Sequence, residues 1–254
     1  MEQSAAQLEW GVSGAKRAAA RGDVVVVVDT LRFTSAVAAA VAAGAIVFPY
    51  RGNNPAVFAR EHDAELARGN SRFSLSPLSY SDCRGARVVL PSPNGSTVTA
   101  YAARSCPVIA GALINARAAA KAASALARER GSGLTVIACG ERPLERWEEE
   151  RSYEFRPAIE DWLGAGAVLA SLGDDHQMTA EAVLAVGAFQ SAGPMLGALI
   201  ANSESGIELA EKGLAADVEF CSKLDSHDVA PVLIEDAFRA TASAAAAGPA
   251  GESS

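Results

Sequence analysis

Several residue types that mark common functional classes are scarce in this chain. Only four cysteines occur among 254 residues: Cys83, Cys106, Cys139 and Cys221. They stand far apart and form no CxxC pair, which argues against a disulfide scaffold, a zinc site or a thioredoxin-type motif. Buried thiols in a reducing cytoplasm are the expectation. The three histidines, His62, His176 and His227, lack metal-ligand spacing and suggest no catalytic triad. Aromatics make up 6% of residues, little for stacking bases. Basic residues (22) are outnumbered by acidic ones (30), and the net charge of −8 excludes a broad basic face for nucleic acid. A local basic pocket for a small anion remains compatible with that balance. No uninterrupted apolar run reaches ~18 residues, so no membrane span is expected. Met1 to Trp10 lacks the basic start and apolar core of a secretory signal. Neither GxGxxG nor GxxxxGK[ST] occurs, which removes the dinucleotide and Walker fingerprints.

What is present is half hydrophobic, enough to build a core without staples. The expectation is one α/β domain over residues 1–240 and a flexible Ala/Gly/Pro/Ser tail over 241–254. Ala5 to Arg21 reads as a helix ending at Gly22. Five valines, Val24 to Val28, follow between Asp23 and Asp29. An unbroken β-branched run of this length is a central strand buried on both faces. Thr34–Ala43 then reads as a helix, Ala45–Pro49 as a strand and residues 55–67 as a helix. Arg87–Pro91, Pro107–Gly111 and Leu134–Ala138 are further strands. Helices over Thr97–Arg104 and Ala116–Arg128 separate them, the latter with Asn115 as its cap. This alternation predicts a sheet that is largely parallel. In the second half, Ala158–Leu172, Thr179–Ser191 and Pro194–Glu211 read as helices, and residues 232–234 as a late strand. Glu145 to Glu154 is a charge run of the kind usually found on a solvated loop.

Ligands of open α/β sheets collect beyond the carboxyl ends of the strands. After the valine strand come Asp29-Thr30-Leu31-Arg32-Phe33-Thr34-Ser35. An Asp there suits Mg²⁺ or nucleophilic attack, and Arg32 carries a planar five-donor fork suited to phosphate or sulfonate. Thr34, Ser35 and the free N–H groups of a helix start complete an anion cradle; the plainer alternative is helix capping and a surface ion pair. After the third strand, Ser92-Pro93-Asn94-Gly95-Ser96 is either an ordinary turn or a second part of that cradle. Cys139-Gly140-Glu141 ends the fifth strand, with Cys139 a small buried residue and Glu141 a candidate ligand or polar wall. Glu160-Asp161 opens a helix, where adjacent carboxylates either favour the positive helix end or form a Mg²⁺ ligand pair.

Taken in order, these segments resemble the 2-phosphosulfolactate phosphatase family, also called the ComB family. The first strand end matches its D-x-L-R-x-T-S pattern and Ser92–Ser96 its T-N-G-T/S turn. Leu113-Ile114-Asn115-Ala116, Cys139-Gly140 and Glu160-Asp161-Trp162-Leu163-Gly164-Ala165-Gly166-Ala167 continue the register. Ser203-Glu204-Ser205-Gly206 with Leu209 and Gly213, then Asp217 to Cys221, Asp225 and Pro231-Val232-Leu233, complete it over residues 23–234. The chain departs from the family's G-N-S-P loop: Gly69-Asn70-Ser71-Arg72 is followed by Phe73 to Pro77, leaving Ser76-Pro77 in register, and the glutamate of a G-E-R segment has only Glu65 as its counterpart. The resemblance implies a three-layer α/β/α fold with a largely parallel or mixed sheet. It implies a cytoplasmic Mg²⁺-dependent phosphatase that converts 2-phospho-3-sulfolactate to 3-sulfolactate and phosphate, as in coenzyme M biosynthesis. Asp29 would be metal ligand or nucleophile, acting with Arg32. Thr34, Ser35, Asn94, Gly95, Ser96 and Asn115 would bind substrate, and Glu160 and Asp161 would be further metal ligands. Leu31 stands where a D-x-D nucleophile motif has its second acid, which favours a metal-held water. The alternatives are a phosphatase for another small acidic phosphate ester and a non-catalytic binder of a phosphorylated or sulfonated acid. The expected partner is a small phosphorylated acid, with no nucleic acid and no membrane; the Ala-rich second half offers a homodimer face.

Overall fold

A computed structural model describes residues 5–69, 71–141 and 155–240. The charge run at Glu145–Glu154 and the tail beyond 240 lie outside the described residues. The elements in order are β1 (Ala6–Trp10), α1 (Gly11–Arg21), β2 (Val24–Val28), α2 (Phe33–Ala42), β3 (Ile46–Tyr50), α3 (Pro55–Glu61), β4 (Glu65–Leu66), β5 (Arg87–Pro91), α4 (Gly95–Ala102), β6 (Val108–Gly111), α5 (Ala116–Arg130), β7 (Leu134–Ala138), α6 (Ile159–Ala170), α7 (Ala180–Ala192), α8 (Leu196–Ala201), α9 (Glu204–Glu211), α10 (Ala215–Cys221), β8 (Pro231–Ile234) and β9 (Ala237–Ala240).

One nine-stranded mixed sheet runs β1-β7-β2-β6-β8-β9-β3-β5-β4. Its two parallel blocks, β1-β7-β2-β6 and β3-β5-β4, are joined by the antiparallel hairpin β8–β9. The valine strand sits inside the first block with all five residues at 0% exposure. Val24, Val26 and Val28 pack in the core with α5 and α6, while Val25 and Val27 pack with α1, α2 and α4. Each buried valine contributes roughly 1.5–3 kcal/mol relative to exposure, so this strand anchors both faces. The result is the three-layer α/β/α arrangement.

Three elements differ from the sequence-based expectation. The N-terminal helix expected over residues 5–21 is a strand and a shorter helix. Ala6–Trp10 pairs in parallel with Leu134–Ala138, and its alternation buries Ala6 and Leu8. Pairing against a formed sheet edge outweighs the helix propensity of Ala, Gln, Leu and Glu. The helix expected to reach residue 67 stops at Glu61; Asp63 adopts a positive φ of 48°, and Glu65–Leu66 extends the sheet beside β5. The expected helix over residues 194–211 is broken, since Ser203 accepts the Gly206 N–H (3.0 Å) and starts a new helix.

Residues 180–211 are long and apolar enough to cross a membrane by length and composition. A crossing takes ~20 residues of helix, and the longest piece here is the 13-residue α7, which ends at Gly193. This region leaves Val183, Leu184, Met195 and Ile207 exposed.

Candidate active site

The carboxyl ends of β2, β5 and β7 meet around Asp29. Its side chain is buried and held at both oxygens. Oδ1 accepts the Phe33 N–H (3.1 Å), and Oδ2 accepts the Gly95 N–H (2.8 Å) and the Ser92 hydroxyl (3.4 Å). Gly95 is required by this approach: a Cβ there would lie 2.1 Å from Phe33 Cδ1 and 2.7 Å from Asp29 Oδ2. The Leu31–Arg32 peptide in the same loop is cis.

The hydroxyls expected to cradle an anion are instead spent on the backbone. Thr34 Oγ1 donates to the Asp29 carbonyl (2.8 Å) and accepts the Asp29 N–H (2.9 Å). Ser35 donates to the Thr30 carbonyl (2.8 Å) and Ser96 to the Leu90 carbonyl (3.1 Å). All three are buried and absent from the cavity wall. Their short side chains find carbonyls five or six residues away, which fastens the loops that aim Asp29. Asn115 is not brought to the site. Fully buried, it accepts the Ala112 N–H and donates to the carbonyls of Ala110 and Val229, locking β6 to the chain entering β8. The histidines also lie elsewhere, His62 with Asp236 and His176 with Ser124.

Three more acids surround Asp29. Asp161 is a strut: Oδ1 accepts the Thr30 N–H (2.7 Å) and Oδ2 the Gly140 N–H (2.9 Å), joining β2, β7 and α6. Glu160 is 1% exposed, and its Oε2 has no hydrogen-bond partner. Glu141 Oε2 accepts from Asn94 Nδ2 (2.7 Å), while Asn94 Oδ1 is buried and unpartnered. Burial raises the Asp29 pKa to about 6 against its backbone hydrogen bonds, with help from the Glu160 charge. Burial and the neighbouring Asp29 raise Glu141 to about 7. Asp161 is raised well above the usual carboxylate range by burial, then by Asp29 and Glu160.

This donor set fits a hard divalent cation. Buried carboxylates that repel one another, one with an unpartnered oxygen, are stabilised by a positive charge among them. No cluster of three or more metal-ligating side chains is gathered among the described residues. One or two carboxylates completed by substrate oxygens and water is the usual manner of Mg²⁺.

The raised pKa values carry a stability consequence. A carboxyl with a folded pKa above its unfolded value contributes stability below the unfolded pKa and loses it as pH rises through the folded one. Asp29, raised from 3.8 to about 6, is therefore expected to cost metal-free protein on the order of 3 kcal/mol between pH 4 and 7. Thermal melts in EDTA should show Tm falling across that range, and Asp29→Asn should flatten the fall. A Tm that rises from pH 5 to 7 equally in both proteins would contradict the assignment.

A cavity of about 970 Å³ reaches two of these acids, Asp29 and Glu141. Asp29, Ser92, Asn94 and Glu141 line it, Arg32, Arg156 and Lys212 bring three cations, and Glu204 and Glu208 bring two more acids. Arg32 is paired with the buried Asp217. Arg156 donates to Ser205 (3.1 Å) and lies 3.5 Å from the exposed Glu204; Lys212 pairs with Glu208. Sequence reasoning did not assign Arg156, Lys212 or Asp217 to the site. The only signal was that the Ser203–Gly213 and Asp217–Cys221 stretches fall in register with the family pattern. Cys139, as expected, is simply buried.

Comparison with known proteins agrees with the geometry. The profile of a family described as 2-phosphosulpholactate phosphatase matches residues 13–236. A protein of Carboxydothermus hydrogenoformans named "Probable 2-phosphosulfolactate phosphatase" is 28% identical over 224 residues, 84% of this chain and 87% of that protein. Proteins of the same name from Pseudothermotoga lettingae (30% over 227 residues; 85% and 91%) and Thermus thermophilus (30% over 223 residues; 83% and 88%) are similar to the same extent. The chain, with Asp29 after β2, Glu141 after β7 and Glu160 and Asp161 at the start of α6, belongs to the 2-phosphosulfolactate phosphatase family of phosphatase enzymes.

Proposed function

We propose that the protein hydrolyses 2-phospho-3-sulfolactate to 3-sulfolactate and inorganic phosphate with Mg²⁺, the reaction type of coenzyme M biosynthesis. The observation that carries this reading is the cavity itself: Asp29 and Glu141 line it together with three cations, Arg32, Arg156 and Lys212. A substrate with a phosphate, a sulfonate and a carboxylate presents three anionic groups to match them. The names of the relatives point to the same substrate.

Water attacks phosphorus, the ester P–O bond breaks, and the leaving oxygen takes up a proton. Asp29 and Glu160 would hold Mg²⁺, which when bound neutralises charge on the phosphoryl oxygens. Asp29, tied at both oxygens by backbone N–H groups, is built to stay fixed as a ligand. Asp161 holds the loops after β2 and β7 to α6 and so fixes Asp29 relative to Glu160. Arg32 binds phosphoryl oxygens through its planar fork. Glu141, with a pKa near 7 and oriented by Asn94, moves the proton to or from the reacting oxygens.

The test is phosphate release from 2-phospho-3-sulfolactate, phosphoglycolate, 2-phospholactate and p-nitrophenyl phosphate, each with Mg²⁺ and with EDTA. Turnover is expected with Mg²⁺ only and fastest for the sulfonate ester. Turnover of the other esters alone would move the substrate to another small acidic phosphate. Tight binding without turnover of any ester would make the protein a binder.

A further inference from the structure

We infer that Asp217 is a positioning residue for Arg32, and that it ties the guanidinium to the divergent loop through Ser76. The inference rests on the proposed role of Arg32 in binding the phosphoryl group. Asp217 lies on α10, 185 residues from Arg32 in sequence, and is 2% exposed. Its two oxygens have separate duties. Oδ2 accepts from Arg32 Nη1, and Oδ1 accepts from the Ser76 hydroxyl (2.6 Å).

Asp217 does not line the cavity, whereas Arg32 does. It therefore reaches a bound anion only through Arg32. Nη1 is the one Arg32 nitrogen with a side-chain partner among the described residues, and no Arg32 atom is a buried orphan. Nε and Nη2 are left to meet a ligand in the cavity. An arginine free to rotate loses side-chain entropy when it binds an anion, and one clamped beforehand has already lost it.

Ser76 makes the clamp dependent on the loop. Its N–H donates to Ser74 Oγ (3.1 Å), and its carbonyl accepts from Ser79 Oγ (2.7 Å). The following turn, Pro77–Tyr80, packs against both α2 and α10. A change of loop conformation would thus be felt at Arg32 by way of Asp217.

Charge and position predict opposite signs. Removing the Asp217 charge leaves Arg32 with a stronger net field, which by itself would tighten anion binding. Losing the clamp would weaken it. We expect Asp217→Asn to lower kcat/KM for the best phosphate ester by about 10–100-fold, the scale of a misplaced binding group. Inorganic phosphate, measured by calorimetry, should bind more weakly in step. Asp217→Glu should recover part of the loss, and Ser76→Ala should lower both quantities several-fold. In an Arg32→Gln background, Asp217→Asn should add nothing, because a residue acting through Arg32 has nothing left to act on.

If Asp217→Asn does not fold, Ser76→Ala and the doubly neutral Arg32→Gln/Asp217→Asn protein carry the test. The double variant is then expected to fold and to bind phosphate as Arg32→Gln does. The inference is overturned if Asp217→Asn binds phosphate as tightly as wild type or more tightly. It is also overturned if its loss is as large without Arg32, or if Ser76→Ala changes neither quantity. Wild-type protein that binds phosphate but turns over no ester would defeat the phosphatase reading alone, and the phosphate affinities would still judge Asp217.

Discussion

Asp29→Asn is expected to lower kcat/KM by about 10³-fold or more, the scale seen when a central catalytic group is removed, while the folded protein survives. Asn preserves the shape of Asp and removes its charge, but its NH₂ cannot accept an N–H, so either Phe33 or Gly95 loses its partner at every pH. That charge sits in a buried pocket beside Glu160, where burial has already lifted the carboxyl to about 6. The neutral variant resembles protonated Asp29, so its stability relative to wild type should increase as pH rises through 6 in EDTA. The two effects have one cause. A buried carboxylate is costly in its charged form, and removing it relieves that cost along with the chemistry it performs. Steady-state phosphate release and melts at pH 5 and 8 measure both. Full activity in Asp29→Asn would remove Asp29 from the mechanism.

Gly95→Ala should be nearly as damaging from the other side of the same hydrogen bond. The added methyl would meet Phe33 at 2.1 Å and Asp29 Oδ2 at 2.7 Å. Neither can yield easily. Phe33 is fully buried with its ring edge-on to Phe238, and Asp29 is held at both oxygens. The β5–α4 turn must therefore back away, which stretches the Gly95 N–H bond and moves Asn94 from Glu141. Overpacking of this kind costs about 1–3 kcal/mol, and a site shifted by about 1 Å loses ~10²-fold in rate. Gly187→Ala is the control. That glycine lies within α7 with nothing within 4 Å of an added Cβ, so the change should be neutral or stabilise by up to about 1 kcal/mol. Denaturant midpoints and kcat/KM for both variants decide the matter. Wild-type behaviour of Gly95→Ala would show that the turn does not press on Asp29.

The local sequence carried the elements whose pattern is strong and self-contained. Five consecutive valines can be satisfied only by cover on both faces, and β2 has that cover from two helical layers. Gly131, just beyond the last arginine of α5, adopts the left-handed conformation that ends a helix. The positions that gather around Asp29 could also be named, because chemistry in such sheets collects at strand ends and the motifs at three of those ends are short and contiguous. Roles were harder to read than positions. Thr34, Ser35 and Ser96 carry the right atoms for holding an anion, yet a backbone carbonyl a few residues away claims each hydroxyl. Asp161 has the right carboxylate, and each of its oxygens also accepts a backbone N–H, from the loops after β2 and β7.

What the sequence determined was the alternation of strands and helices, the buried valine strand, the family, and the placing of Asp29, Arg32 and Asn94 at one cavity. Those follow from local periodicity, turn chemistry and the spacing of motifs along the chain. Only the tertiary structure decided that Ala6–Trp10 is a strand, because its partner is 128 residues further on and its composition alone favours a helix. Only the tertiary structure paired Arg32 with Asp217, brought Arg156 and Lys212 to the cavity, and buried Asp29, Glu160 and Asp161 together. Hydrogen bonds and charge burial depend on which groups are left facing each other once the layers close, and no local pattern records that.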